Sequence, residues 1–175
     1  MFWIVGICNA VNLLDGLDGL AVGVSSISSI ALLALTLISD NLNVAILTAA
    51  VAGAGFGFLP YNFNPAKIFM GDTGALFLGF ILACISVQGM LKMSAVITFA
   101  VPILILGLPI FDTMFAIIRR VLTGHSPMQA DRGHLHHRLL DMGFSQRRVV
   151  TILYTLTAVL CMTAVVISIK GYGRG

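Results

Sequence analysis

Three polar stretches, set into an otherwise apolar sequence, hold the residues capable of chemistry. The first reads Asn9-Ala-Val-Asn12-Leu-Leu-Asp15-Gly16-Leu-Asp18-Gly19. Its four polar side chains fall at i, i+3, i+6 and i+9, a step that keeps them near one face of a helix with a slow drift around it. Two amides and two carboxylates between apolar runs are costly in a membrane unless water, a cation or a ligand meets them. The carboxylates can bind a metal directly or hydrogen-bond a ribose or base. The plain alternative is a solvated helix end at which Asp caps the next helix.

The second stretch is Asn62-Phe-Asn64-Pro-Ala-Lys67-Ile-Phe69-Met-Gly71-Asp72-Thr73-Gly74, directly before an apolar run. Asp72 or Thr73 is expected to cap the helix that follows. A hard carboxylate at a helix start between glycines also suits Mg²⁺ beside a diphosphate. Backbone N–H groups there can receive phosphate oxygens, and Lys67 adds a positive charge. Spacing alone leaves the cap and the metal site level. The third stretch, Arg119–Arg148, holds all four histidines of the chain, His125, His134, His136 and His137, with Asp131, Arg132 and Arg138. Clustered His and Arg suit charge-assisted hydrogen bonds to a diphosphate. Zinc is the rival chemistry, but no Cys or Glu here completes a familiar ligand set; a basic membrane anchor is the other alternative. Asp112 stands apart in an apolar run after Pro109, as a functional carboxylate or an interhelical contact.

The elements that must position these residues follow from composition. The chain is 58% hydrophobic and 10% charged, with mean hydropathy +1.02. Soluble domains carry about 25% charged residues, so lipid must be the solvent here. Cys8, Cys84 and Cys161 lie in separate apolar runs and read as small packing residues, not as a disulfide framework. The expected fold is all-α, a polytopic membrane protein with about five complete transmembrane helices and a truncated first one. The spans are Leu17–Ile38, Leu42–Pro60, Ala75–Leu91, Ala95–Ile118 and Val149–Ile169. Thr73 and Gly74 can extend the third. Pro102 and Pro109 are expected to kink or break the fourth. Ser25–Ser29 and Gly53, Gly55 and Gly57 read as helix-packing positions.

Met1–Cys8 covers roughly 12 Å, under half the hydrocarbon core, and reads as a helix whose first half is missing. Span parity puts all three polar stretches on one side of the membrane. Lys67 and six arginines share that side, while Lys92, Lys170 and Arg174 are opposite. By the positive-inside rule the motif side is cytoplasmic.

Together the runs NAVNLLDGLDGLA, PAKIFMGDTGALFLG and HLHHRL closely resemble the polyprenyl-phosphate N-acetylhexosamine-1-phosphate transferases. They occur in that family's order, and the resemblance covers nearly the whole chain. The HLHH form is more like the GlcNAc-1-phosphate branch than the muramoyl-pentapeptide branch, which usually carries three consecutive histidines. The resemblance implies that a UDP-sugar, with UDP-GlcNAc expected, gives its sugar-1-phosphate to undecaprenyl phosphate and releases UMP. That would be the first membrane step of cell-wall or surface-glycan synthesis in a bacterial plasma membrane. By the match, Asp72 is the Mg²⁺ ligand, with Mn²⁺ as a substitute. Asp15, Asp18 and His136 join it as catalytic residues. Asn12, Asn62 and Phe69 line the nucleotide-sugar site, and His134, His137 and Arg138 hold the diphosphate or sugar. The implied partners are the UDP-sugar, undecaprenyl phosphate and the bilayer, with a second copy of the chain as a further candidate and no nucleic acid.

Members of this family also carry an aspartate pair and a lysine in their amino-terminal half. No adjacent Asp-Asp occurs here. Residues 1–175 are therefore expected to be the carboxy-terminal part of one membrane-embedded transferase domain, inactive alone. A transporter half or an inactive scaffold is the alternative. Transport favours polar groups near mid-span, whereas most of the polar groups here sit at one membrane face.

Overall fold

In this computed structural model residues 1–89, 95–124 and 133–172 are described, and among them all regular structure is α-helical. The helices are α1 (Phe2–Leu14), α2 (Leu20–Ile38), α3 (Leu42–Asn62), α4 (Gly71–Gln88), α5 (Ala95–Ile105), α6 (Gly107–Leu122), α7 (Leu135–Asp141) and α8 (Gln146–Tyr172). α2, α3, α4 and α8 are each long and apolar enough to cross a membrane, and α5 with α6 makes a fifth crossing if the bent pair is one span. His125, Asp131, Arg132, Lys92 and Arg174 lie outside the described residues.

α2 is the central helix, with 67% of its apolar stretch buried against 33% for α3 and 28% for α8. Its small residues permit this. Ser25, Ser26, Ser28 and Ser29 are all buried, and the hydroxyls of Ser26 and Ser29 donate back to the carbonyls of Val22 and Ser25. A polar side chain satisfied by its own helix can be packed in lipid without penalty. On α3 a Cβ at Gly55 would overlap Ser26 Oγ, whereas Gly53 and Gly57 face open space. Of the three glycines, only Gly55 sits where two backbones need it.

The fourth span is broken. α5 and α6 meet at Leu106 with an 85° bend. Pro109 has no N–H to give the carbonyl of Ile105, and its ring crowds that oxygen. The freed Ile105 carbonyl accepts the Ser28 hydroxyl of α2 at 3.0 Å instead. The span expected over Ala95–Ile118 is thus broken into two helices, as its prolines led us to expect. α6 carries Leu108, Asp112, Ala116 and Arg120 on its buried face, and Phe111, Met114, Phe115 and Ile118 are exposed. A helix that hides polar groups and shows apolar ones is arranged for lipid.

Two further helix boundaries bear on the first polar stretch. α1 ends at Leu14, so Asn9 and Asn12 are helical but Asp15 is its C-cap and Asp18 lies beyond it. α2 starts at Leu20 rather than Leu17, because Gly19 at φ 80° breaks the helical path. Ser39–Asn41 is the expected tight turn. At that end of the bundle Asn41 bonds the Gln88 carbonyl, while the carboxy end of α1 meets the start of α4 at the other.

Candidate active site at one end of the helix bundle

The end of α1 and the start of α4 come together through Asn12, whose Nδ2 donates to Asp72 Oδ1 at 3.0 Å. Asp72 does not cap its own helix, contrary to expectation. The N-cap is Met70, with no side-chain cap bond. Asp72 sits one residue inside the helix start, where its side chain projects outward rather than back to the free N–H groups. It still lies in the first turn, where the helix dipole favours an anion. Asp15 faces it: partial burial first, then the charges of Asp72 and Asp18, push the Asp15 carboxyl up to about 6. Crowded carboxylates of this kind fit a divalent cation. Among the described residues no group of three His, Cys, Asp or Glu could hold a metal. Two carboxylates are nonetheless sufficient for Mg²⁺, which takes its remaining ligands from water and substrate phosphates.

Asp18 and Asn62 are used differently. Asp18 Oδ2 accepts Asn64 Nδ2 at 3.0 Å and the Ala66 N–H at 3.1 Å. Asn62 is buried; its Oδ1 accepts the Gly19 N–H and its Nδ2 donates to the Ile68 carbonyl. Both side chains tie the first stretch to the second, and each amide atom of Asn62 already bonds a backbone group. Asn64 Nδ2 also reaches Gln146 Oε1 at 2.9 Å, and Arg147 Nε donates to the Asn64 carbonyl at 3.0 Å, which brings in the start of α8. Phe69 is 75% exposed, three residues before Asp72.

The third stretch enters through α7. His136 is buried at 2% exposure, and a Cβ on Gly16 would lie 2.6 Å from its Nε2. The glycine in Asp15-Gly16-Leu17-Asp18 is what lets the imidazole approach. Among the described residues neither ring nitrogen of His136 has a hydrogen-bond partner. Burial first, with His137 and His134 adding, holds its pKa down to about 4. The ring stacks on His134 at 5.8 Å between centroids and tilts against half-buried His137 at 4.3 Å. His134 itself is withdrawn from the site: it is buried, and its Nδ1 is 2.9 Å from Asp112 Oδ2. Arg138 is exposed, its guanidinium 5.6 Å from the ring centre of Phe115 on α6.

The structure therefore gathers Asn12, Asp15 and Asp72, packs His136 against Gly16 beside Asp15, and uses Asp18, Asn62 and His134 as braces. Sequence reasoning missed the Asn64–Gln146–Arg147 clasp: all three lie in the polar stretches, but nothing in their spacing pairs them. It flagged Asp112 without its partner. A larger groove of 720 Å³ along α8, beside Arg147 and Arg148, contains none of the gathered residues.

Residues 1–90 match the family model described as glycosyl transferase family 4. Over 95% of its length the chain is 45% identical to a probable undecaprenyl-phosphate N-acetylglucosaminyl 1-phosphate transferase of Bacillus subtilis, covering 47% of that protein. It is 37% identical over 69% of its length to a decaprenyl-phosphate N-acetylglucosaminephosphotransferase of Mycolicibacterium smegmatis, covering 32%. It is also 37% identical over 91% of its length to a phospho-N-acetylmuramoyl-pentapeptide-transferase of Clostridium beijerinckii, covering 47%. The chain belongs to glycosyl transferase family 4 and is a multi-pass membrane protein. It spans about half the length of the first of these relatives and of the third.

Proposed function

We propose that the protein transfers GlcNAc-1-phosphate from UDP-GlcNAc to undecaprenyl phosphate, releasing UMP. The observation that carries this reading is the meeting of Asn12, Asp15 and Asp72, with His136 of the third stretch packed against the adjoining Gly16, at one end of an apolar bundle. The GlcNAc branch is favoured over the muramoyl branch by 45% against 37% identity across similar lengths.

In the reaction an oxygen of the lipid phosphate attacks the sugar-bearing phosphorus. The bond from that phosphorus to the UMP oxygen breaks, and UMP leaves with its electrons. When bound, Mg²⁺ neutralises charge on the diphosphate as that bond opens. Asp72 and Asp15 would hold it, with Asn12 orienting Asp72. His136 is neutral at working pH and donates a hydrogen bond rather than a charge. An unsatisfied buried polar group costs about 1–3 kcal/mol, and a phosphate oxygen at the ring removes that cost. Lys67 and Arg138 supply positive charge, His137 flanks the sugar, and Phe69 offers a ring to the base. The acceptor's chain suits an apolar groove of 560 Å³ along α6, lined by Leu108, Phe111, Phe115 and Leu160 with Arg138 at its edge. Membranes containing the complete protein should release UMP from UDP-GlcNAc with undecaprenyl phosphate and Mg²⁺. Release only from UDP-MurNAc-pentapeptide would overturn the sugar assignment, and release from neither would overturn the transferase.

The motif end faces the cytoplasm in this reading. A cysteine placed at exposed Lys67 should react with an impermeant maleimide only in permeabilised cells. Labelling in intact cells would reverse the orientation.

Asp15 gives a pH-dependent test. Its folded pKa of about 6 lies above the ordinary 3.8. Ionising it therefore costs stability, and the cost grows as pH rises through about 6. Asp15→Asn should raise the thermal midpoint of metal-free protein at pH 7.5, and the gain should vanish near pH 4. Mg²⁺ should stabilise the wild type more than the variant. Equal stabilisation of both would remove Asp15 from the metal site.

A further inference from the structure

α7 has only seven residues, too few to hold a helix by itself in water or at a membrane surface. Its N-cap residue, His134, makes no side-chain cap bond. The free N–H of Leu135, the first helical residue, is met from another helix: Asp112 Oδ1 accepts it at 2.7 Å. The second carboxylate oxygen of Asp112 takes His134 Nδ1 at 2.9 Å. Opposite a carboxylate, His134 carries its proton on Nδ1. Asp112 is 7% exposed and His134 5%, so neither bond is shared with water. One side chain on α6 thus grips α7 at two points one residue apart, which fixes both the place and the rotation of the helix.

That rotation matters at the next turn. His136 lies two residues from His134, stacked on it with ring planes only 9° apart, and packs its Nε2 edge against Gly16. α7 is also held by apolar contact of Leu135, Leu139 and Leu140 with the cluster around Val149 and Leu153, and Arg119 Nη1 of α6 donates to the carbonyl of Gly133, one residue before His134, at 2.6 Å. Apolar contact permits sliding and turning; the paired hydrogen bonds do not. Asp112 itself sits on the buried face of α6 and lines the apolar groove along that helix.

We propose that Asp112 is a positioning residue, which through His134 and the Leu135 N–H holds the histidine helix so that His136 meets the Asp15-Gly16 corner. The inference rests on the transferase reading. It extends that reading by giving a residue of the broken span a defined part in it, and by making His134 a brace rather than a ligand contact.

The test is a set of variants of the complete protein, assayed for UMP release with UDP-GlcNAc, undecaprenyl phosphate and Mg²⁺. Asp112→Ala should lower kcat roughly 10- to 100-fold, the range typical of residues that orient a site residue. KM for UDP-GlcNAc should change less. Asp112→Asn keeps one acceptor for the Leu135 N–H and should retain more activity than Asp112→Ala. In a His136→Ala background, Asp112→Ala should cost less than about twofold more, because it acts through a ring already removed. Thermal midpoints of the assayed proteins show whether the loss is one of folding. If the two losses multiply, or if activity falls only in step with the thermal midpoint, the role is structural and the proposal fails. An inactive wild type would sink the transferase reading instead. An active wild type with multiplying losses would sink the positioning role alone.

Discussion

Asp72→Asn in the complete protein is expected to lower UMP release by more than roughly 100-fold while leaving the fold intact. The fold should survive because Asp72 supports nothing structural that Asn cannot replace. It is exposed, it does not cap α4, and its one recorded hydrogen bond is the amide of Asn12 to Oδ1. Asn offers the same oxygen at the same place. What it lacks is the negative charge, and Mg²⁺ is a hard cation that selects anionic oxygen. The dependence on Mg²⁺ should shift to higher concentration along with the loss of rate. The like charge pressing on Asp15 is also removed, so the Asp15 carboxyl should relax downward from about 6. An unchanged rate with unchanged Mg²⁺ dependence would take Asp72 out of the metal site.

Gly16→Ala should cost roughly 10- to 100-fold in activity, from the addition of one methyl group. The backbone is not the reason, since Gly16 has no left-handed φ. The reason is the 2.6 Å from a Cβ there to His136 Nε2. The imidazole cannot step aside cheaply: it is buried, stacked on one side by His134 and crowded on the other by His137. The displacement falls on α7, and a shift of about 1 Å in a positioned group can cost on the order of 100-fold. Gly53→Ala is the control. Nothing lies within 4 Å of a Cβ there, and Ala is the better helix former, so activity should stay within about twofold. If Gly16→Ala behaves like Gly53→Ala, His136 does not work against the Asp15-Gly16 corner.

The bulk architecture was legible in the sequence because lipid leaves few choices. A chain this apolar must satisfy its backbone internally, so helices of about 20 residues follow from hydropathy alone. The break before Pro109 was legible for a local reason, a missing N–H, whereas Pro102 lies within α5. The residue types for a metal and a diphosphate were also visible, since carboxylates and histidines are rare enough in such a chain to stand out.

Which of those residues meet was decided only by the tertiary structure. Asp15, Asp18 and Asn12 share one spacing, yet one side chain orients Asp72, one crowds it and one braces a loop. The difference arises where α1 ends at Leu14, and the left-handed Gly19 then turns the chain away from the helical path that the spacing assumed. Asn62 has the type of a binding amide, but both its ends are taken by backbone groups from two segments. His134 and His136 are two residues apart, and one is tied to a carboxylate on a broken helix while the other is left with two unpaired nitrogens. Residue type and spacing determine what a side chain can bond. Whether a partner is already there depends on segments tens of residues away, and periodicity carries no information about them.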